Sequence, residues 1–347
     1  MCGVRQQIAM RCVEGLRFLC NAVLGAVRFI LFGPGKRPLQ ARKVLIFRVS
    51  NIGDIMTAVP AMVSIKENFP QATVVLLSSP GERGLPEAQQ MLLGVSFLDG
   101  IITYYQDEIA SFKGLWALVK KLQKERFDLF IDLRQDLITL PALIKDMLFA
   151  RLIGVKYACG FRIDTVKAFR QIQSECLQSD NEVERLLRIL NGEGIRTGAV
   201  SYPLVVEDQD KAIVKIFIES LRRDFVVINP HAKRKANRWS IENFAFVGRW
   251  LIHEFSCSVV IIGGEQDVAS SEKLQALIGN GAVSVASRFT ILQTLELLRH
   301  ARLLLSNDTG AVHMASAVDT PVVGIYSAWQ LRGKWYPYGQ GHRVVRK

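Results

Sequence analysis

Histidine is sparse in this chain, with five in 347 residues and none near another, so a histidine-rich metal site is not expected. The six cysteines, Cys2, Cys12, Cys20, Cys159, Cys176 and Cys257, include no C-x-x-C pair and no zinc-clamping interval, and read as reduced thiols of a cytosolic protein. There is no G-x-S-x-G elbow, Walker loop or metalloprotease helix. Negative charge is nearly missing from the first fifty residues: nine Arg and Lys face only Glu14, so most of the formal charge of +12 sits at this end. Such asymmetry points to an anionic surface or anionic ligands. Nucleic acid is set aside, because no basic-aromatic module or zinc-finger spacing accompanies the charge. No metal and no cofactor are expected.

A long uninterrupted apolar run is also lacking. In "RCVEGLRFLCNAVLGAVRFILF" the residues Arg11, Glu14, Arg17, Asn21, Gly25 and Arg28 recur every three or four positions, opposite Leu16, Leu19, Val23, Val27 and Ile30. Arg28 cuts the run below the roughly 20 residues a bilayer span needs, and no small-residue cleavage site follows. The expectation over residues 5–32 is an amphipathic helix lying in the plane of a membrane surface; packing on the protein's own body or a partner, and a true span, are the alternatives.

What is present is an alternation of strands and helices. A basic linker from Gly33 leads to the strand "KVLIFRV" at 43–49, then a helix over 55–68, a strand at 73–79, helical segments near 85–93 and 111–125, a strand at 128–134, a helix near 139–152, a strand near 155–160 and a helix near 181–194. A looser stretch, 195–223, separates this from a second alternation. It has strands at 225–230, 258–264, 282–287, 302–307, 321–327 and 342–346, and helices at 241–254, 268–279, 291–300 and 311–318. Length and pattern predict an N-terminal helix and linker over 1–40 and two Rossmann-like, doubly wound α/β domains, 41–205 and 206–347. Open parallel sheets bind at the carboxyl ends of their strands, so the expected architecture places a central cleft between the domains.

Three strand-end loops carry candidate chemistry. In "FRVSNIGDIMTAVPA", Gly53 permits a tight turn and Asp54 stands where a helix begins, either as its cap or as a reactive acid. In "NPHAKRKANRWSIENF", Lys233, Arg234, Lys235 and Arg238 lie before a helix opening at Ser240; they are either a solvated charge run or a grip on a diphosphate. In "LLLSNDTGAVHMASA", Gly310 allows close backbone approach, Thr309 offers a hydroxyl and the following helix offers free amides, which suits phosphate oxygens. Asp308 reads as a cap or a partner for cations. His313 reads as a phosphate donor or a satisfied core residue. Asp132 and Arg134 end a first-half strand and read as acceptor contacts or an internal ion pair.

Taken in order, "VLIFRVSNIGDIMTAVPAMVSIKENFP", "INPHAKRKANRWSIENFAFVGRWL", "VVIIGGEQD" and "LLLSNDTGAVHMASAVDTPVVGIYS" resemble the landmarks of glycosyltransferase family 9, over about residues 43 to 345. Its best-known members are ADP-heptose:lipopolysaccharide heptosyltransferases. The resemblance implies a GT-B fold and metal-independent, inverting transfer of a sugar from a nucleotide-diphosphate donor. It also implies a lipid-linked or lipopolysaccharide acceptor at the cytoplasmic face of a membrane. On it, Asp54 matches the general base, beside Gly53, and Asp308, Thr309, Gly310 and His313 fall on the donor-diphosphate loop.

The match has departures. Asn237-Arg238-Trp239-Ser240 stands where the family has a lysine before a W-P turn, so Arg238, Lys233 or Lys235 must meet the leaving-group charge. Asn181 stands where relatives often carry histidine. The acid expected on the donor ribose is Glu265 or Asp267, and spacing does not choose between them. Asp208-Gln209-Asp210 imitates the metal clasp of other glycosyltransferases but opens a helix, so capping is expected. The sequence ends at Lys347, where GT-B enzymes commonly continue into a helix that packs on the N-terminal lobe, so either the amphipathic start replaces it or that clamp is reduced. A nucleotide-sugar epimerase, a transferase with a soluble acceptor, and a catalytically silent relative serving envelope assembly remain alternatives.

Overall fold

The computed structural model describes residues 4–34, 40–49, 51–166, 179–221, 223–328 and 331–346. Cys2, Cys176 and most of the basic linker lie outside the described residues. In chain order the elements are α1 (Val4–Phe32), β1 (Lys43–Val49), α2 (Ile52–Asn68), β2 (Thr73–Ser79), α3 (Ala88–Met91), β3 (Gly100–Thr103), α4 (Phe112–Glu125), β4 (Leu129–Asp132), α5 (Leu140–Leu152), β5 (Tyr157–Cys159) and α6 (Glu182–Gly192). Then come α7 (Asp208–Leu221), β6 (Phe225–Asn229), α8 (Ile241–Phe255), β7 (Ser258–Ile261), α9 (Val268–Ile278), β8 (Ala282–Ser284), α10 (Ile291–His300), β9 (Leu304–Asn307), α11 (Gly310–Ala317), β10 (Val322–Tyr326) and β11 (Arg343–Arg346).

The chain divides into two compact units. The first comprises Met1–Gln89, Val95–Ser201 and Leu331–Lys334, and the second Gln90–Gly94, Tyr202–Gln330 and Trp335–Lys347. The first unit holds a parallel five-stranded sheet in the order β3-β2-β1-β4-β5. Its strands are buried on both faces, which is why β1 reads as an almost unbroken apolar run. Leu45 and Phe47 of β1 join Phe130, Val119 and Leu122 of α4, Ala150 of α5 and Ile153 just after it in one core cluster, so α4 and α5 cover the same sheet face. The alternate residue Arg48 points to the other face and is fully buried.

The second unit holds a parallel six-stranded sheet in the order β11-β10-β9-β6-β7-β8. Val226, Ile228, Val259, Ile261 and Leu305 pack there on Phe244, Leu251, Leu274 and Ile278 of α8 and α9. In each sheet the strand order reverses beside the first strand. That point lies between β1 and β4 in one unit and between β6 and β9 in the other, and it is where an open α/β sheet receives ligands.

Three sequence expectations change. The stretch 195–223 is not loose throughout, since α7 occupies Asp208–Leu221. Its "AIVKIFI" lacks a clean helical stripe, and Ile213 and Ile216 remain exposed. The edge strand β3 is four residues long and begins with glycine, too little to register as a strand pattern. The third change concerns α1. Over Ala9–Phe32 it is long and apolar enough to cross a bilayer by length and composition, and Arg28 pairs with Glu193 of the same unit. Leu24, with Cys20, Val27 and Leu31, packs on Leu143 and Met147 of α5 and on Ile163. Beside that seam, Asn21 Nδ2 donates to the Ile163 carbonyl at 2.9 Å and Arg28 pairs with Glu193 at 2.9 Å. Asn21 and Arg28 of the polar stripe therefore meet the protein, while Arg11, Glu14, Phe18, Leu19, Phe29 and Ile30 face outward.

This orientation sets opposite expectations for two apolar truncations. Leu24→Ala should lower the unfolding free energy by roughly 2–5 kcal/mol in urea melts, as for a large-to-small change in a core. Phe18→Ala, on the exposed side of the same helix, should change it by less than about 0.5 kcal/mol.

Candidate active site

At the first unit's switch point, the loops after β1 and β4 are fastened by one guanidinium. Arg48 donates from Nε and Nη2 to the Asp54 carbonyl at 3.2 and 3.0 Å, and from Nη1 to the Leu133 carbonyl. Its Nη1 also pairs with Glu182 Oε1 at 3.1 Å. Glu182 is fully buried, and its carboxylate also meets Arg185 at 2.8 Å and Lys334 at 2.6 Å. Lys334 belongs to the segment Leu331–Lys334, which also bonds to the start of α6: the Glu182 amide donates to the Lys334 carbonyl at 2.9 Å. Burial disfavours the Glu182 anion, but Arg185, Lys334 and Arg48 outweigh it and hold the carboxyl well below its ordinary range. Asp136, paired with Lys334 at 3.2 Å and bonded to Thr165, is likewise held low against its burial.

Asp54 sits on this frame. It is not the cap itself: Asn51 is the residue before α2, and Asp54, in the first turn, accepts the Asn51 amide hydrogen on Oδ2 at 3.2 Å. Its other oxygen lies 3.9 Å from Arg48 Nη2. Burial raises its pKa and the Arg48 cation only partly offsets this, so the carboxylate is more basic than a solvated aspartate. Gly53 is the residue before it in the same first turn.

Asp132 and Arg134 do not pair with each other's side chains. Asp132 Oδ1 accepts the backbone amide of Arg134 at 2.8 Å, and the Arg134 guanidinium pairs with Asp146 of α5 at 3.0 Å and stacks over Phe47. Asp132 Oδ2 is buried without a hydrogen bond. Gly160, at φ +93, presses its backbone against Asp132, and any side chain there would overlap the Asp132 carbonyl. Desolvation, with Asp146 nearby, pushes Asp132 up to about 7; desolvation pushes Asp146 up to about 6, with Arg134 opposing. The two carboxyls titrate as a pair.

At the second unit's switch point the fastening is neutral. Asn229, ending β6, donates to Thr309 Oγ1 at 2.9 Å. Asn307, ending β9, donates to the Pro230 carbonyl at 2.7 Å and accepts the Trp239 amide at 3.0 Å. Asn237 donates to Asp308 Oδ2 at 3.3 Å and accepts from Ser327 at 2.7 Å. Three amides thus tie the loop after β6 to the turn that opens α11 at Gly310. Asp308 accepts from the Asn237 amide, and Thr309, not Asp308, is the residue before the helix. His313 is buried with its ring edge-on to Trp335 at 6.1 Å.

Along the same loop, Lys233 and Lys235 are exposed and their ammonium groups make no hydrogen bond or ion pair among the described residues, while Arg238 curls back to the Ala232 carbonyl at 2.7 Å. Asp267 accepts the Gly264 amide at 3.0 Å, and Glu265 is exposed without such a contact. Asp267 also stands 3.4 Å from His231, whose other nitrogen is 2.8 Å from Ser271 Oγ. Burial, against Asp267 and with Arg238, lowers the His231 pKa, so a neutral ring is favoured. His231 escaped the sequence reading; its place directly after the strand-ending "NP" was the available signal. Asp208 pairs with Lys211 at 2.8 Å and Asp210 accepts from Gln293 at 2.6 Å, so these acids of the D-x-D string are committed to local contacts. Asn181 caps α6, accepting from Val183 at 3.0 Å.

Residues 115–347 match the family model described as glycosyltransferase family 9 (heptosyltransferase). The chain is 22% identical over 312 residues to the lipopolysaccharide core heptosyltransferase OpsX of Haemophilus influenzae, covering 88% of this chain and 84% of that one. Among solved structures it is similar to a family 9 glycosyltransferase of Veillonella parvula, with a TM-score of 0.70, 13% identity and coverage of 90% and 88%. It is also similar to the ADP-heptose lps heptosyltransferase II of E. coli, with a TM-score of 0.64, 19% identity and coverage of 87% and 90%. These folds are GT-B, and the two parallel-sheet units here have that fold.

Glu182→Gln should destabilise the protein by roughly 3–5 kcal/mol in urea unfolding, because it leaves buried cations without their anion. The acids of this unit also give pH dependences of opposite sign. Glu182 and Asp136, held low, stabilise above the ordinary carboxyl range, and this is lost as pH falls through their folded values. Asp132, held high, favours its protonated form, so its contribution declines as pH rises toward about 7. Asp132→Asn should therefore raise the melting temperature relative to wild type more at pH of about 8 than at about 5.

Proposed function

Since the chain belongs to glycosyltransferase family 9, we propose that this glycosyltransferase moves a heptose from ADP-heptose onto the lipopolysaccharide core. The observation that carries the reading is the second unit's switch point. There the free amides of α11 open from a turn locked by Asn229, Asn307 and Asn237, next to the unpaired cations Lys233 and Lys235. A helix N-terminus with flexible ammonium groups is suited to a diphosphate. Thr309 and Gly310 supply the close approach, His313 backs the turn, and Lys233, Lys235 and Arg238 meet the charge of the departing ADP. Glu265 is free for the ribose, whereas Asp267 is spent on its own turn and on His231.

Transfer in this reading is a single inverting displacement without metal. An acceptor hydroxyl oxygen attacks the anomeric carbon, Asp54 takes its proton, and the bond from that carbon to the diphosphate oxygen breaks with its electron pair leaving on ADP. Burial makes Asp54 a stronger base than a solvated aspartate, and the Asn51 amide and Arg48 hold its direction. Asp132 and Arg134 shape the acceptor side through the rigid end of β4. The outward apolar side of α1 supports attachment to the inner face of the cytoplasmic membrane, where a lipid-linked acceptor is available.

One observation favours a second reading, a silent nucleotide-sugar binder. Asn237 replaces the family lysine, and both ends of its amide are occupied by Asp308 and Ser327.

With ADP-heptose and a lipopolysaccharide core acceptor, Asp54→Asn should lower kcat by roughly 10²–10⁴-fold with little change in donor KM, followed as ADP release. The acid limb of the wild-type kcat/KM profile should fall above the ordinary aspartate range, because activity needs the ionised form of a group whose pKa is raised. Chelation with EDTA should leave the rate unchanged. Undiminished turnover in the variant removes Asp54 as the base, and ADP binding without any turnover in wild type selects the silent reading.

A further inference from the structure

The helices on one face of the first sheet carry a charge and exposure pattern that the chemistry above does not use. In α4, Val119 and Leu122 point into the core while Lys113, Lys120 and Lys124 recur along the opposite side. At its first turn, Phe112 is 81% exposed and stacks in parallel on Trp116, with the Lys120 ammonium 6.0 Å from the Trp116 ring. The neighbouring α5 repeats the arrangement: Leu143 and Met147 face inward, and Lys145, Leu148 and Leu152 face out. The helices adjoin directly, since Gln123 of α4 donates to the Leu152 carbonyl at 2.7 Å. On the far side of α5 lies α1 with its outward apolar side.

Acids are all but missing from this layer. On α4 and α5 the acids are Glu125, paired with Lys43, and Asp146, buried against Arg134. Exposed large apolar groups on an ordinary solvated helix are scattered singly. Here they lie between lysines on adjoining helices, with an aromatic pair at one end, which matches the interfacial zone of a bilayer.

We propose that the outer surface of α4 and α5 docks on anionic phospholipid headgroups, as a membrane contact in addition to α1. The lysines engage lipid phosphates, while Phe112, Trp116, Leu148 and Leu152 enter the headgroup boundary. The proposal extends the membrane reading of α1 to further elements, and it fails or survives separately.

The test is cosedimentation of the full chain with vesicles of phosphatidylcholine alone, or of phosphatidylcholine and phosphatidylglycerol in equal parts. Wild type should sediment with the mixed vesicles and markedly less with phosphatidylcholine, losing binding as salt rises. Lys120→Gln/Lys124→Gln should lower the partition coefficient on mixed vesicles by roughly 30-fold, at about 1 kcal/mol per basic side chain near the surface. Phe112→Ser/Trp116→Ser should also lower it, on both kinds of vesicle, with the melting temperature unchanged in each variant. The α1 variant Phe18→Asp/Ile30→Asp separates the two contacts. If it abolishes binding while both α4 variants bind as wild type does, the α4–α5 surface is refuted and α1 alone attaches. Binding to soluble dextran sulfate as tight as to mixed vesicles and indifferent to Phe112→Ser/Trp116→Ser would also overturn the proposal, making the lysines a site for acidic macromolecules.

Discussion

The first unit is organised around one buried negative charge. Glu182 is shared by Arg48 from β1, Arg185 from its own helix and Lys334 from a segment near the end of the sequence. None of these could be buried alone, because an isolated ion in a protein interior costs several kcal/mol. Each is tolerable because the others are there. Arg48 then spends its remaining donors on the Asp54 and Leu133 carbonyls, so the loop carrying Asp54 inherits the rigidity of the cluster. A frame of this kind gives little net stability compared with apolar packing of equal volume, but it fixes backbone direction in loops that have no core of their own.

The second unit solves the same problem with amides. Asn229, Asn237 and Asn307 lock the loop after β6 to the turn before α11. Carboxylates in these places would add negative charge beside the α11 N-terminus, and cations would be consumed by internal pairs. Neutral side chains that both donate and accept leave the helix amides and the lysines to supply the site's positive potential. Asp308 is compatible with this only because Asn237 holds one of its oxygens.

The outer helices of the first unit follow a third rule. Where α1 meets α5, its polar residues make the specific contacts, Asn21 to the Ile163 backbone and Arg28 to Glu193, around a small apolar seam. Phe18, Leu19, Phe29 and Ile30 are left outside. A helix built this way gains more by covering its outer side with something apolar than by turning around, because turning would break these polar contacts and the apolar seam.

The sequence by itself determined the two alternations of strand and helix and the loops that follow β1, β6 and β9. Each rests on a local pattern: apolar runs, caps and glycines. The edge strand β3 escaped because its pattern is short, and the length of α7 beyond its start at Asp208 escaped because its apolar pattern is mixed. Only the tertiary structure decided the partners of Asp132 and Arg134, the outward side of α1, and the assembly of Arg48, Glu182 and Lys334, which lie as far apart as 286 positions in the chain. No periodicity encodes a contact between distant charges. Each of the three reads alone as an ordinary surface residue, and burial, which forces ions to find one another, acts only when the chain is folded.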